Sequence, residues 1–196
     1  EAAFIDVPLT MAVALTERLS IGFAPVATMA KLEVEPMVFA GLNDADGDTV
    51  TTYPRGQGSR YVWGGGANAG IYYIHNCNWQ FGAAVKTPRW MEEFRFYTED
   101  ESGAPLLGRV DWDLPMIVSI GTSFTGLENV LAAVDVRYID YENANGFGDS
   151  GFGPDGSLNG LGWDSVMAVA TGLQLRMTDS FFLRFGYVYN ENPIPD

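Results

Sequence analysis

The chain has 196 residues, 47% of them hydrophobic and only 18% charged, which excludes a disordered tail. Its 25 acidic against 11 basic residues leave a formal net charge of −14, a surface that nucleic acid would repel. The lone cysteine, Cys77, excludes an intrachain disulfide, and no run of about 20 apolar residues offers a transmembrane helix.

Twenty-three Gly, 12 Phe, 9 Tyr and 5 Trp favour β structure, and alternation of apolar with small or polar residues recurs along the chain. Leu9, Met11, Val13 and Leu15 oppose Thr10, Ala12 and Ala14; Leu19, Ile21 and Phe23 oppose Ser20, Gly22 and Ala24. Tyr61, Trp63, Ala67, Ala69, Ile71 and Tyr73 then oppose Gly64, Gly66, Asn68 and Gly70. Trp79, Phe81, Ala83 and Val85 oppose Gln80, Gly82, Ala84 and Lys86, and a weaker strand is predicted from Pro115 to Phe124. Val130–Asp140 places Asp135 and Arg137 opposite its apolar face, and Trp163–Leu175 and Phe181–Asn190 repeat the pattern. Eight strands are predicted, most of them near the about 9–11 residues that a tilted strand needs to cross a bilayer.

The connections alternate in length. Short turns are predicted at Thr16–Arg18, His75–Asn78, Thr125–Asn129 and Arg176–Ser180; long polar loops at Pro36–Ser59, Pro88–Leu114 and Glu142–Gly162. Aromatic residues gather at both ends, with Trp79 and Phe181 beside short turns and Trp63, Tyr141 and Tyr187 beside long loops. These features predict an all-β, antiparallel up-and-down transmembrane β-barrel, with long loops extracellular and short turns periplasmic. A soluble β-sandwich would leave the small, polar faces to explain as solvent-exposed.

The segment Trp163–Asp196 carries the tight turn Arg176-Met177-Thr178-Asp179, then Leu183-Arg184-Phe185-Gly186-Tyr187, then Pro193-Ile194-Pro195. It resembles the FadL-type family of outer-membrane long-chain fatty acid and hydrocarbon transporters, whose members show an LRxGY strand followed by a short PxP element. Asn129–Tyr141 with the Gly-rich acidic loop after it, and Trp79-Gln80-Phe81-Gly82 with Pro88 beyond, are similar too. The likeness runs from about Trp63 onwards. It implies a monomeric barrel of about 14 strands with an N-terminal plug, passing apolar molecules through a hydrophobic pocket and a lateral opening in the wall. Residues 1–196 are then expected to be a single but incomplete barrel domain, with no plug before Glu1 and roughly three strands missing at each end. Glu1 does not open a secretory leader, so a mature or truncated chain is expected.

Few residues suggest chemistry. His75 and Cys77 share one short turn, too few ligands for zinc and too close for a catalytic pair. Asp44, Asp46 and Asp48 could contact Ca²⁺ weakly, although Gly47 and Arg55 fall out of place for an EF-hand loop. Gly64, Gly66 and Gly70 thin one wall from inside, making room for a plug or ligand or marking a strand irregularity. Lys86, Arg137 and Arg184 all lie on the face opposite the apolar stripe, where a cation could hold a carboxylate entering a lumen. Asp135, on the same face as Arg137, offers the competing pairing. No acid–base or nucleophile set converges, so neither an enzyme nor a cofactor is expected. The predicted function is passive uptake of hydrophobic molecules, most of all long-chain fatty acids, with the lipid bilayer and the apolar substrate as partners. A non-transporting structural or adhesive outer-membrane barrel with acidic surface loops is the alternative.

Overall fold

The structure, a computed structural model, describes residues 1–40, 42, 44–154 and 158–195. Among these every regular element is a strand. One antiparallel sheet forms the wall, and its strands follow one another in chain order. They are β1 (Ala2–Pro8) with β2 (Met11–Ala14), β3 (Leu19–Val34), β5 (Val62–Ile74), β6 (Trp79–Lys86), β10 (Met116–Phe124), β11 (Val130–Asp140), β14 (Val166–Arg176) and β15 (Phe182–Asn190). Two-residue pieces, β4 (Gln57–Gly58) and β7 (Trp90–Met91), attach to β3 and β5. β8 (Phe94–Glu99) pairs with β9 (Pro105–Val110), and β12 (Ser150–Phe152) with β13 (Leu158–Leu161). The sheet does not close: β1–β2 at one margin and β15 at the other each have one neighbour among the described residues.

The up-and-down order and all eight predicted wall strands are present. The first two run further than the alternation predicted. β1 and β2 hold one register on β3, from Ala2↔Leu32 through Val7↔Ala27 to Met11↔Phe23 and Ala14↔Ser20. The ladder lapses only opposite Pro25, which has no N–H to give.

The short turns fall where predicted, and side chains close them. Thr16 Oγ1 accepts from the N–H groups of Arg18 and Leu19 at 3.2 and 3.0 Å, and Asn76 Oδ1 accepts from those of Asn78 and Trp79 at 2.8 and 2.9 Å. Asn129 takes a left-handed backbone (φ 64) before β11.

The two faces of the wall differ sharply. Along β3 the buried residues are Ala24, Val26, Thr28, Ala30 and Leu32, every second position. The intervening side of the wall exposes Ile5, Val7, Ile71, Phe81, Ile120, Val134, Leu173 and Phe185, each at least 37% accessible. The opposite side is small or polar, with cross-strand rows such as Gly22–Gly70–Ala84–Ser119–Arg137. The long connections fold onto the upper part of this small-residue side. There Met37, Phe94, Phe96 and Val110 pack with Ala30, Leu32 and Val62 into one core, joined by Phe39 and Trp112. Two loops expected to be irregular thus contain hairpins.

Candidate functional site: the inner wall and its bulge

Facing away from the apolar belt is an open concavity of about 760 Å³. Ala12, Gly22, Gly70, Gly82, Gly121 and Asp135 are among the residues that line it. Glycine and alanine are ten of its 23 lining residues, so much of the room comes from absent side chains.

At the upper margin the wall carries an irregularity. β6 pairs with β5 as Asn68↔Lys86, whereas β7 pairs as Gly65↔Trp90 and Gly64↔Met91, one residue out of step. Thr87–Arg89 is therefore a β-bulge on the β5 side. On its other side Arg89 and Leu114 exchange backbone hydrogen bonds of 3.0 and 3.1 Å. Between that bridge and Lys86↔Ile117 stand Pro88 and Pro115, neither with an N–H, so the seam between β6 and β10 is thin there.

Two inner glycines admit the bulge. A Cβ at Gly66 would lie 2.5 Å from the Pro88 carbonyl and 2.8 Å from Arg89 Nη1, and one at Gly64 would meet the Trp90 carbonyl at 2.5 Å. The glycine spacing seen in the sequence thus makes room for the chain's own backbone.

Arg89 pins the bulge. It is 4% exposed, and its Nη2 donates to Asn68 Oδ1 at 2.7 Å and its Nη1 to the Thr87 carbonyl at 3.0 Å. Its Nε stands 3.5 Å from Asp6 Oδ2 without a hydrogen bond, and Asp6 Oδ1 accepts from the fully buried Thr28 hydroxyl at 2.6 Å. Sequence reasoning missed Arg89, which follows Pro88 in a stretch expected to be loop. Buried Asp113 fastens the same region, accepting from Met91 N at 2.7 Å and Asn145 Nδ2 at 2.8 Å.

The three predicted lumen cations lie on the small-residue face but do not converge. Lys86 and Arg137 sit one register row apart, at Lys86↔Ile117 and Ser119↔Arg137, close below the bulge; both are exposed. Arg184 lies towards the short turns and donates from Nε to Gln174 Oε1 at 2.7 Å. Asp135 forms no ion pair with Arg137 among the described residues and lies over Gly121 instead.

Asp44, Asp46 and Asp48 each bring a carboxylate oxygen within 4.8 Å of the others, all three exposed. Those carboxylates already serve the loop, accepting from the N–H groups of Thr49, Asp48 and Val50 at 3.1, 3.0 and 2.7 Å. Glu101 accepts from Ala45 N, from Asp46 N and from the Thr52 hydroxyl, and these bonds, the Thr52 hydroxyl foremost, hold its carboxyl below the usual carboxylate range.

An open, antiparallel, up-and-down barrel wall with a small-residue concave face is the class of fold these features define. No family model and no curated protein sequence matches the chain. Among solved structures it is similar to the Ralstonia pickettii toluene transporter TbuX (17% identity, TM-score 0.66, 97% of this chain and 56% of that one). It is also similar to the CymD monoaromatic hydrocarbon channel (14%, 0.66, 98% and 61%) and to a Pseudomonas aeruginosa FadL homologue (10%, 0.70, 100% and 51%). The chain shares the fold of these FadL-type barrels and spans about half to three-fifths of their length. TbuX is a toluene transporter and CymD a hydrocarbon channel, neither an enzyme.

Proposed function

We propose that this chain forms part of the wall of an outer-membrane channel for passive uptake of small apolar molecules, with the long loops outside the cell and the short turns in the periplasm. The observation that carries it is the apolar belt exposed across all eight wall strands, set against a small, polar inner face. Water-soluble monomers rarely expose a continuous apolar patch beyond a few hundred Å². Lipid chains would cover such a belt without penalty.

The inner face supports a path for the cargo. Below the bulge Asn68, Gln80, Ser119, Ser123 and Asp135 set polar groups among the glycines and alanines of the concavity. Above, the loops gather Phe39, Phe96, Trp112 and Phe147, with Phe39–Trp112 and Trp112–Phe147 ring centroids 5.7 and 4.7 Å apart. A hydrocarbon arriving beside these rings would meet polar groups further down, and the thin seam at Thr87–Arg89, with Pro88 and Pro115, offers it a sideways exit above them. For a long-chain fatty acid, Lys86 and Arg137 stand below the bulge where a carboxylate head would arrive, while Arg184 is too remote to share the task.

Uptake of labelled toluene and labelled oleate by cells making the intact protein tests the reading. Uptake above that of a deletion strain is expected, lowered by Gly66→Leu, which pushes against the bulge. Uptake equal to the deletion strain for both compounds overturns it. Loss of oleate uptake alone in a Lys86→Ala, Arg137→Ala variant would assign the carboxylate contact; equal loss of both compounds would refute it.

A further inference from the structure

The β8–β9 hairpin has two unlike faces. Phe94, Phe96 and Val110 point into the loop core, so Arg95, Tyr97, Leu107 and Arg109 point away from it, and Tyr61, next to the exposed Trp63, borders the same cavity as Arg95 and Tyr97. Arg95 and Arg109 are direct cross-strand partners, an arrangement of like charges that costs stability. One carboxylate, that of Glu93, reaches both, with Oε2 2.7 Å from Arg95 Nε and Oε1 3.6 Å from Arg109 Nη1. Beside them the Arg60 guanidinium lies 5.0 Å from the centre of the Tyr97 ring and has no ion pair among the described residues.

Arg60, Glu93, Arg95 and Tyr97 border a surface cavity of about 460 Å³. Glu92 borders it too, but its carboxylate is engaged by the Trp63 N–H at 3.2 Å. Three guanidinium groups against two carboxylates give a local positive surplus on a chain whose net charge is −14. Directly below, Tyr61, Trp63 and Trp90 are 63%, 58% and 59% exposed, the aromatic girdle that marks headgroup level.

We propose that this arginine-lined face holds the phosphorylated headgroup of an anionic glycolipid of the outer leaflet, with its acyl chains against the Trp63–Trp90 belt. The proposal rests on the membrane reading above and goes beyond it. Guanidinium forks match phosphate oxygens, and Tyr97 keeps one of them presented without neutralising it. A soluble phosphate would gain nothing from the girdle; a lipid is held at both ends. Occupied, the site would also relieve the Arg95–Arg109 repulsion that Glu93 chiefly offsets.

The test uses the intact protein in detergent micelles, with native mass spectrometry reading retention of diphosphorylated lipid A against its dephosphorylated form. We expect preferential retention of the phosphorylated lipid, falling about fivefold for each arginine removed in Arg60→Ala and in Arg60→Ala, Arg109→Ala. Arg176→Ala, beside a short turn, should change nothing. Equal retention of the two lipids, or no loss in Arg60→Ala, overturns the proposal. So does a dimer that the arginine variants abolish, since a second copy would then cover the face. If the protein inserts, shows heat-modifiable migration and takes up hydrocarbon yet lacks the preference, this proposal alone fails; if it does not insert, the membrane reading fails first.

Discussion

At Arg89 a guanidinium that is 4% exposed binds Asn68, the Thr87 carbonyl and, more loosely, Asp6, so one side chain joins the first wall strand to the bulge. Removing it takes the charged donor from Asn68 Oδ1 and the nearby positive charge from Asp6. Arg89→Ala is expected to destabilise the intact protein by about 1–3 kcal/mol, read as a lower denaturant midpoint for unfolding from lipid vesicles. Asp6→Asn should cost less, because Asp6 is half exposed and Thr28 can still donate to it. Glu101 makes the order of one loop depend on pH. Its carboxyl is held below the ordinary range by the Thr52 hydroxyl and the N–H groups of Asp46 and Ala45, so the order it lends to residues 44–52 is present above that range. That order should be lost as pH falls through the lowered value, seen as faster proteolysis of this loop in acid. Glu101→Gln should remove the pH dependence; an unchanged acid response in that variant would show that another group controls it.

Elements were legible wherever one face met solvent or lipid and the other did not. From β5 to β15 the outward residues are mostly apolar and the inward ones mostly small or polar, and those six wall strands, β10 the weakest of them, were found from that contrast. The upper half of β3 was missed because its contrast reverses: Val26, Ala30 and Leu32 face inward under the loop core, while Lys31 and Glu33 face out. Pro25 in mid-strand completed the disguise, since a proline ordinarily marks an edge or a break. The β8–β9 hairpin carries perfect alternation in Phe94, Phe96 and Thr98, yet it lay in an acidic stretch read as a long loop. The same limit hid the bulge. Glycine spacing could show that something approaches Gly64 and Gly66, but which segment approaches is tertiary information. If the hairpin is a lid on the core, Phe96→Ala should speed cleavage at the Asp100–Ala104 turn while wall strands stay protected in hydrogen exchange. Cleavage at the wild-type rate would show that the hairpin holds without its core contact.

Across the whole molecule, substitutions on the two faces of the one sheet measure directly whether those faces meet different solvents. Ile120 lies mid-strand in β10, 61% exposed on the belt, and Ala170 lies mid-strand in β14 on the opposite face. If the belt lies in lipid, Ile120→Arg places a charge near the bilayer midplane and should cost about 2–4 kcal/mol in the free energy of folding into vesicles. Ala170→Arg points into the concavity, beside Asp135 on the neighbouring strand, and should cost far less. A soluble sheet would respond in the other direction, because arginine at a water-exposed site such as Ile120 is close to neutral. The ratio of the two effects therefore reports which side faces lipid without any knowledge of the cargo. It also bears on the open margins. Unpaired β1–β2 and β15 edges cannot stand in hydrocarbon, where each unsatisfied backbone group costs several kcal/mol, so the lipid-facing result would require further strands or a partner to cover them.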